Sequence, residues 1–538
     1  MAYRIAVSQK IEDARAKNYL HTLQNIFPAS GLSAVALAQL YTIDARINAK
    51  ELREAAEHLT NTLAETYSVT DVPAPESYAY AIEIGFLPGV TDNVGHTARQ
   101  AIEDCTGRKF RVSEAVYSSF ILFLGGTVSV SDAERVAREL HNPLIERAIV
   151  FSGVQKEFPI TIPKVKLRKA PTRADEINLG VSDGELQKIS GEGIQSRGPL
   201  ALSLSAMQTI RDYFKKVGRN PTDVELESLA QTWSEHCKHT IFADPLDEVK
   251  EGIYQRYIKG ATQKIRKQKG KKPVRGAASN GPGDFCVSVF TDNSGAIAFD
   301  DDLVTHKVET HNTPSALDPF GGSVTAIVGV NRDCLGFGLG AKPIANVYGF
   351  CVADPNDSTA LYRDKAKKQE LLPARRILEG VVRGINAGGN QSGIPTALGF
   401  LAVDPSYRGK PLIYGGTVGL IPRKLHGNPS TGLRARKLYE KKARAGDYIV
   451  MVGGRVGADG IHGATFSSES LSGGSPATAV QIGDPITQKK LSDAVIREAR
   501  DLGLYSSITD NGAGGLSGSV GEMAKESGGC EVDLAKVP

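Results

Sequence analysis

The strongest constraint on the fold lies in residues 1–155, where one order of elements is written twice. The first copy runs YRIAVSQ (3–9), a helical stretch over 12–27, AVALAQLYTI (34–43), a helix over 49–66 and the short YSVTDV. The second runs YAIEIGF (80–86), a helix over 92–104, AVYSSFILFL (115–124), a helix over 131–141 and ERAIVF. Each copy reads as βαβ followed by αβ. Such a unit buries one sheet face under two helices and leaves strand edges open, so two copies are expected to join edges into a longer sheet. No charged cluster recurs in both copies, which points to an assembly module rather than a catalytic one.

The chain of 538 residues is long enough for several cores. The expected class is a multidomain α+β or α/β protein: tandem βαββαβ-like repeats (1–75 and 76–155), a linker (156–198), a helical segment (199–245), a basic mobile loop (246–283), a sheet domain (284–440) and the start of an α/β domain (441–538). That last domain stops before its chain returns to a sheet, so the sequence reads as an incomplete first half. No apolar run has the length of a spanning helix, and the opening MAYRIAVSQK begins a strand and not a signal peptide, so a cytoplasmic location is expected. Six cysteines without CxxC spacing give neither a zinc ribbon nor a disulfide framework.

The net charge of +4 is set by one segment, because residues 250–275 hold ten Lys/Arg against one Glu. A nucleic-acid site would interleave aromatics with that charge, and only Tyr254 and Tyr257 stand there. A solvated loop, or a lid over an anionic ligand, is the simpler reading.

Chemistry concentrates in LVTHKVETHNTPSALDPFGGSVTAIVGVNRD (303–333). As a strand, THKVETHN points Lys307, Glu309 and His311 to one side, since alternate residues share a face. An unpaired buried charge costs several kcal/mol, so something charged must face them. A lysine can neutralise phosphate, a carboxylate can hold a hard cation and an imidazole can move a proton, which together suggest phosphoryl chemistry. VTAIVGV reads as a further strand with Arg332 and Asp333 at its end, suited to phosphate and metal or to a local ion pair. GFGLGAKP (336–343) lacks the acidic residue that a dinucleotide fingerprint places further on, which argues against a Rossmann cofactor. GDYIVMVGG (446–454) reads as a buried strand, and Asp510 as the end of another before a glycine-rich helix start.

Upstream, Thr222 and Glu225 form a capping box for a helix whose apolar stripe is Leu226, Leu229, Ala230, Trp233 and Cys237. His236 falls on the same stripe and reads on spacing as a core histidine. A metal site from His236 and His239 lacks a third ligand nearby. Cys237 cannot pair with His236 as a nucleophile, because adjacent helix residues splay apart.

RNPTDVELESLAQTWSEHCKH, HKVETHNTPSALDPFGG, GVNRD, DGIHGATFSSES, AVQIGDP and ITDNGAGGL, in that order, resemble the successive motifs of the phosphoribosylformylglycinamidine synthase family. The resemblance covers roughly 185–538 and implies an aminoimidazole ribonucleotide synthetase-like fold. It also implies an ATP- and Mg2+-dependent ligase that converts formylglycinamide ribonucleotide to formylglycinamidine ribonucleotide, in purine biosynthesis, through an iminophosphate. By motif, His236 would be an active-site histidine, His239 and Lys307 ATP contacts, and His311 the proton acceptor. Thr310, His311, Asn312, Thr313, Arg332 and Gln481 would touch substrate; Glu309 would hold one magnesium, and Asp333 and Asp510 a second. Thr313 stands where many relatives carry His. The duplicated amino-terminal region resembles the small accessory subunit of split bacterial systems, and ammonia is expected from a separate glutaminase subunit. Rival readings are another amide-activating ligase of the superfamily and a nucleotide-binding scaffold without turnover. Neither nucleic acid nor membrane is expected as a partner.

Overall fold

The computed structural model describes residues 2–165, 174–194, 198–234, 242–269, 284–425, 435–454, 463–467, 480, 482–512, 514–533 and 536. Two compact units divide the chain at 170/171. No helix among the described residues is long and apolar enough to cross a membrane.

In the first unit, β1 (Tyr3–Gln9), α1 (Ala14–Ile26), β2 (Leu32–Asp44), α2 (Ala49–His58) and β3 (Glu65–Ser68) precede β4 (Tyr80–Phe86), α3 (Asn93–Thr106), β5 (Ala115–Gly126), α4 (Val130–Leu140) and β6 (Glu146–Ser152). The strands form one antiparallel sheet in the order β3-β1-β2-β5-β4-β6. Its seam is the long β2–β5 pair, with Leu37 opposite Leu122. Side-chain oxygens cap the helices at Asp13, Asn48, Asp92 and Ser129, satisfying amides that a helix start leaves open. Strand alternation sends Ile5, Ile43 and Val116 to a core with α2 and α3, and Ala6, Leu40, Ala81 and Phe123 to the helix-free face. Phe158 packs edge-on against Phe123 and Phe151 on that face, and its carbonyl accepts from Arg4 Nη1 at 3.0 Å. The start of the expected linker is therefore part of this core. Beneath it Glu83 is buried between Arg4 (3.4 Å) and Arg147 (3.5 Å) and accepts from Ser119 Oγ.

The second unit opens with α5 (Asp183–Glu192), α6 (Leu204–Val217) and α7 (Asp223–Trp233). Leu186, Met207, Ile210, Phe214, Leu226 and Ala230 form their core. The expected linker over 156–198 is thus corrected again: α5 is a Ser182-capped helix that gains stability by burying Leu186, which its low aromatic content hides. On α7 the buried stripe is narrower than expected. Trp233 is 45% exposed and the backbone turns extended at Ser234, so α7 ends at Trp233, while His236 and Cys237, expected on the same stripe, lie outside the described residues. Residues 254–269 are also helical, six π-helical residues running into α8 (Gly260–Lys269), where a loop was expected. Their Lys, Arg, Gln and Ala are good helix formers whatever their charge, and Arg266 anchors α8 to Asp284 at 2.8 Å.

Next come β7 (Cys286–Ser288), β8 (Gly295–Phe299), β9 (Asp302–Thr310), α9 (Asn312–Leu317), α10 (Pro319–Gly336), β10 (Lys342–Val352), α11 (Ala374–Ser392), β11 (Thr396–Val403) and β12 (Leu412–Pro422). The sheet order is β11-β10-β12-β9-β8-β7, with β10–β11 parallel and the other pairs antiparallel. The ribbon β13 (Lys424–Leu425) and β14 (Arg436–Lys437) and the helices α12 (Gly463–Ser467), α13 (Pro485–Ala494) and α14 (Gly515–Ser527) complete the described elements.

Two expected strands are corrected here. VTAIVGV lies inside α10, whose start is fixed by the Asp318 side chain accepting from Gly321 N and by Pro319 in the first turn. This helix is buried almost all round, between the sheet and α11, and so shows no polar stripe to betray its period. GDYIVMVGG is irregular and exposed, with Tyr448 94% and Val450 74% accessible, because no strand among the described residues lies beside it to satisfy its backbone.

Candidate functional site

The side chains of Lys307 and Glu309 leave β9 on the face covered by α10. Lys307 Nζ lies 3.3 Å from Glu309 Oε2 and 3.5 Å from Asp333 Oδ2. Asp333 stands in the last turn of α10 and not at a strand end, so helix and strand together bring the three groups into contact. Arg332, its neighbour, reaches Asp510 Oδ2 at 3.9 Å, an ion-pair distance too long for a hydrogen bond. Its buried Nε makes no hydrogen bond among the described residues. An oxyanion would satisfy it.

Asp510 lies in an irregular segment before α14, and no strand is formed there. Burial, then the neighbouring Asp510 charge, push the Asp333 carboxyl well above the usual carboxylate range; Glu309 adds to the rise, and Lys307 and Arg332 oppose it. A like charge thus stands beside Asp333 in a place that disfavours its ionised form. No group of three or more His, Cys, Asp or Glu among the described residues forms a ready-made metal cage. The donor set instead fits a hard cation such as Mg2+, which keeps waters and takes one or two carboxylates together with phosphate oxygens.

His311 follows the last residue of β9 and occupies the cap position of α9. Its Nδ1 lies 2.6 Å from Gly322 O of α10. A carbonyl can only accept, so Nδ1 carries the proton and the basic lone pair is on Nε2. His311 therefore faces the same helix as Lys307 and Glu309, roughly 13 Å along the chain from Lys307 at ~3.3 Å per residue.

The neighbouring residues divide by role. Asn312 Oδ1 accepts from Ile413 N at 3.0 Å, holding α9 to β12. Thr313, the second residue of α9, is fully buried. Thr310 ends β9, half-buried, paired with Tyr414. His236, His239 and Gln481 lie outside the described residues. Sequence reasoning passed over Asn293, which donates to Asp510 from the β7–β8 turn, and the neighbouring Asp292–Lys441 ion pair, whose ammonium, from the segment after β14, also donates to Ile508 O. An Asp-Asn pair in a turn before a strand was the available signal.

Three family models match the chain. Residues 192–239 match the formylglycinamide ribonucleotide amidotransferase linker domain, 291–421 the N-terminal domain of AIR synthase related proteins and 444–538 their C-terminal domain. The phosphoribosylformylglycinamidine synthase subunit PurL of Thermoplasma volcanium is 34% identical over 345 residues, covering 63% of this chain and 39% of that protein. The corresponding subunit of Methanopyrus kandleri is 35% identical over 328 residues, covering 60% and 37%. A solved structure described as T. maritima PurL complexed with FGAR is similar at 27% identity and a TM-score of 0.40, covering 60% of this chain and 42% of that one. The chain spans about two fifths of the length of the curated relatives it matches.

Proposed function

We infer that this chain, a homologue of phosphoribosylformylglycinamidine synthase subunits, forms one half of a cytoplasmic ligase that joins ammonia to the amide carbon of formylglycinamide ribonucleotide at the expense of ATP. The observation that carries this reading is the meeting of Lys307, Glu309, Asp333, Arg332 and Asp510 at one end of α10, with His311 at the other.

Lys307 and Arg332 offer cationic donors to phosphate oxygens, one as a point charge and one as a planar fork. Glu309 would hold one Mg2+ and Asp333 with Asp510 a second, which when bound offset charge on the phosphates during transfer. Transfer of the γ-phosphoryl group to the amide oxygen, with loss of the amide N–H proton, gives ADP and an iminophosphate. Attack of ammonia on that carbon then expels inorganic phosphate and leaves the amidine. The ammonia nitrogen sheds a proton as the new bond forms, and His311 Nε2, its ring fixed through Nδ1, is the acceptor we assign. His236 as a further active-site histidine, with His239 near ATP and Gln481 near substrate, completes the proposed set.

The first unit reads as an assembly module that stands in for an accessory subunit and recruits a separate glutaminase. The second sheet supports an incomplete assembly. Its helix-free face exposes Val308 (46%) and Leu398 (71%), which strand register places on one row through Gly416 and Val347, with Phe400 (55%) two residues along β11, an apolar surface that a further half of the enzyme would cover.

Ammonia-dependent ADP formation from formylglycinamide ribonucleotide, by enzyme expressed from the complete open reading frame, tests this reading. His311→Ala is expected to lower turnover by 10²- to 10⁴-fold, roughly what a general base contributes. Turnover with another amide and not this one would transfer the assignment to a different ligase of the superfamily. Undiminished turnover in His311→Ala would remove the histidine's role.

A further inference from the structure

We propose that Asn293 is a positioning residue, braced by the Asp292–Lys441 ion pair, that fixes the Asp510 carboxylate against the end of α10 so that both elements present ligands to one cation. The inference rests on the reading of Asp333 and Asp510 as cation ligands and names what holds them in register. Asp510 sits on an irregular segment, which by itself cannot set a carboxylate to the tolerance a metal site needs.

Two side chains from elsewhere do so. Asn293 Nδ2 donates to Asp510 Oδ1 at 3.2 Å and to Thr509 Oγ1 at 3.3 Å. A carboxylate can only accept, which fixes the orientation of the amide. Lys441 Nζ pairs with Asp292 Oδ1 at 2.7 Å and donates to Gly336 O (2.7 Å) and Ile508 O (3.0 Å), so one nearly buried ammonium ties the last residue of α10 to the segment carrying Asp510. Asp292 is itself held, since its Oδ2 accepts from Gly338 N at 3.1 Å. Gly336 closes the arrangement: a Cβ there would lie 2.3 Å from Asn293 Nδ2 and 3.3 Å from Asp510 N. Only a residue without a side chain lets the amide pass between the helix end and Asp510.

Binding of Mn2+ alone to the 538-residue chain, followed by electron paramagnetic resonance, is the test. Asn293→Asp keeps the volume of the side chain and replaces its donor with an acceptor facing Asp510; Asn293→Ala removes both. Each variant is expected to weaken Mn2+ by about 10- to 100-fold, the usual effect of losing an outer-shell partner. Lys441→Met should do the same, and Lys441→Arg should recover part of the loss. If the unaltered chain binds Mn2+ and both Asn293 variants bind it equally well, the positioning role is wrong. If Asn293→Asp keeps full affinity while Asn293→Ala loses it, the side chain only fills space and the inference again fails. An unaltered chain that binds no Mn2+ would instead overturn the cation reading on which the inference stands.

Discussion

The placement of α10 depends on how closely α11 approaches it, and a single methyl group tests this. Gly380, Gly384 and Gly388 recur at four-residue intervals on α11, on the face toward α10. A Cβ on Gly384 would lie 1.9 Å from Ser323 Oγ and 2.3 Å from the backbone oxygen of Phe320. The hydroxyl can rotate away; the carbonyl cannot. A relaxed carbon–oxygen contact needs about 3.3 Å, so the helices must part by about 1 Å. Overpacking of this kind costs about 1–3 kcal/mol, while alanine in a helix interior returns up to ~1 kcal/mol over glycine. Gly384→Ala should therefore destabilise the second unit by about 1–2 kcal/mol, equivalent to roughly 5- to 30-fold faster exchange of the α10 amides in hydrogen-exchange mass spectrometry. Gly329→Ala, in α10 itself, is the control. Nothing lies within 4 Å of its Cβ position, so it should keep the propensity gain and slow exchange. Equal or slower exchange in Gly384→Ala would show that the two helices have slack and that the glycines are not there for close approach.

Asp333→Asn removes one of two crowded carboxylates, so it should raise the melting temperature of the cation-free chain and abolish the further rise that Mg2+ gives. Because the folded-state pKa of Asp333 is raised, first by burial and then by Asp510, the folded chain holds that proton more tightly than the unfolded one. Cation-free stability should accordingly fall as pH rises through that pKa, and a flat profile would contradict the assignment. In the first unit Glu114 accepts from Arg111 N and Arg46 N and pairs with Arg108 at 2.8 Å, which lowers its pKa to about 2. Its contribution should be complete above its unfolded value near 4.5 and vanish as pH falls through about 2; an acid titration of Glu114→Gln lacking any difference from the parent would refute this. Glu83→Ala leaves Arg4 and Arg147 without their buried anion and should cost about 3 to 5 kcal/mol in urea unfolding, against much less for a surface pair.

The part of the site legible in the sequence is the part written with period two. Lys307 and Glu309 share a face because they are alternate residues of one strand, and no tertiary information is needed to say so. Arg332 and Asp333 were legible as chemistry and not as geometry. Val324, Ile327, Val328 and Val330 form an apolar, β-branched run that a strand or a fully buried helix can carry equally well. What settles it is Asp318-Pro319 at the start and a length of 18 residues, far beyond an ordinary strand. Tyr448–Val452 shows the opposite error, since apolar residues suffice to propose a strand but only a neighbouring strand can make one. Asn293 was beyond reach because its partner lies 217 residues away, and no local pattern encodes such a contact.

One helix therefore sets the spacing of the chemistry. Gly322 of α10 holds the His311 ring, and eleven residues later Asp333 meets Lys307, so α10 runs back along β9. Along the helix the two contacts are about 16 Å apart at 1.5 Å per residue, and along the strand from 307 to 311 about 13 Å at 3.3 Å per residue. The two spans nearly match, which lets a single rigid helix touch both ends without a kink. Glu309 falls midway. A ligand using all three then lies along β9, with its nucleotide phosphates toward Lys307, its reacting amide toward His311 and the transferred γ-phosphoryl group between them, where the side chains can converge. A substitution that moves α10, such as Gly384→Ala, should weaken phosphate and cation binding and proton transfer together, whereas Lys307→Met should impair the first and spare the Nδ1 bond of His311. Imidazole chemical shifts measured on both variants would distinguish a shared frame from two independent sites.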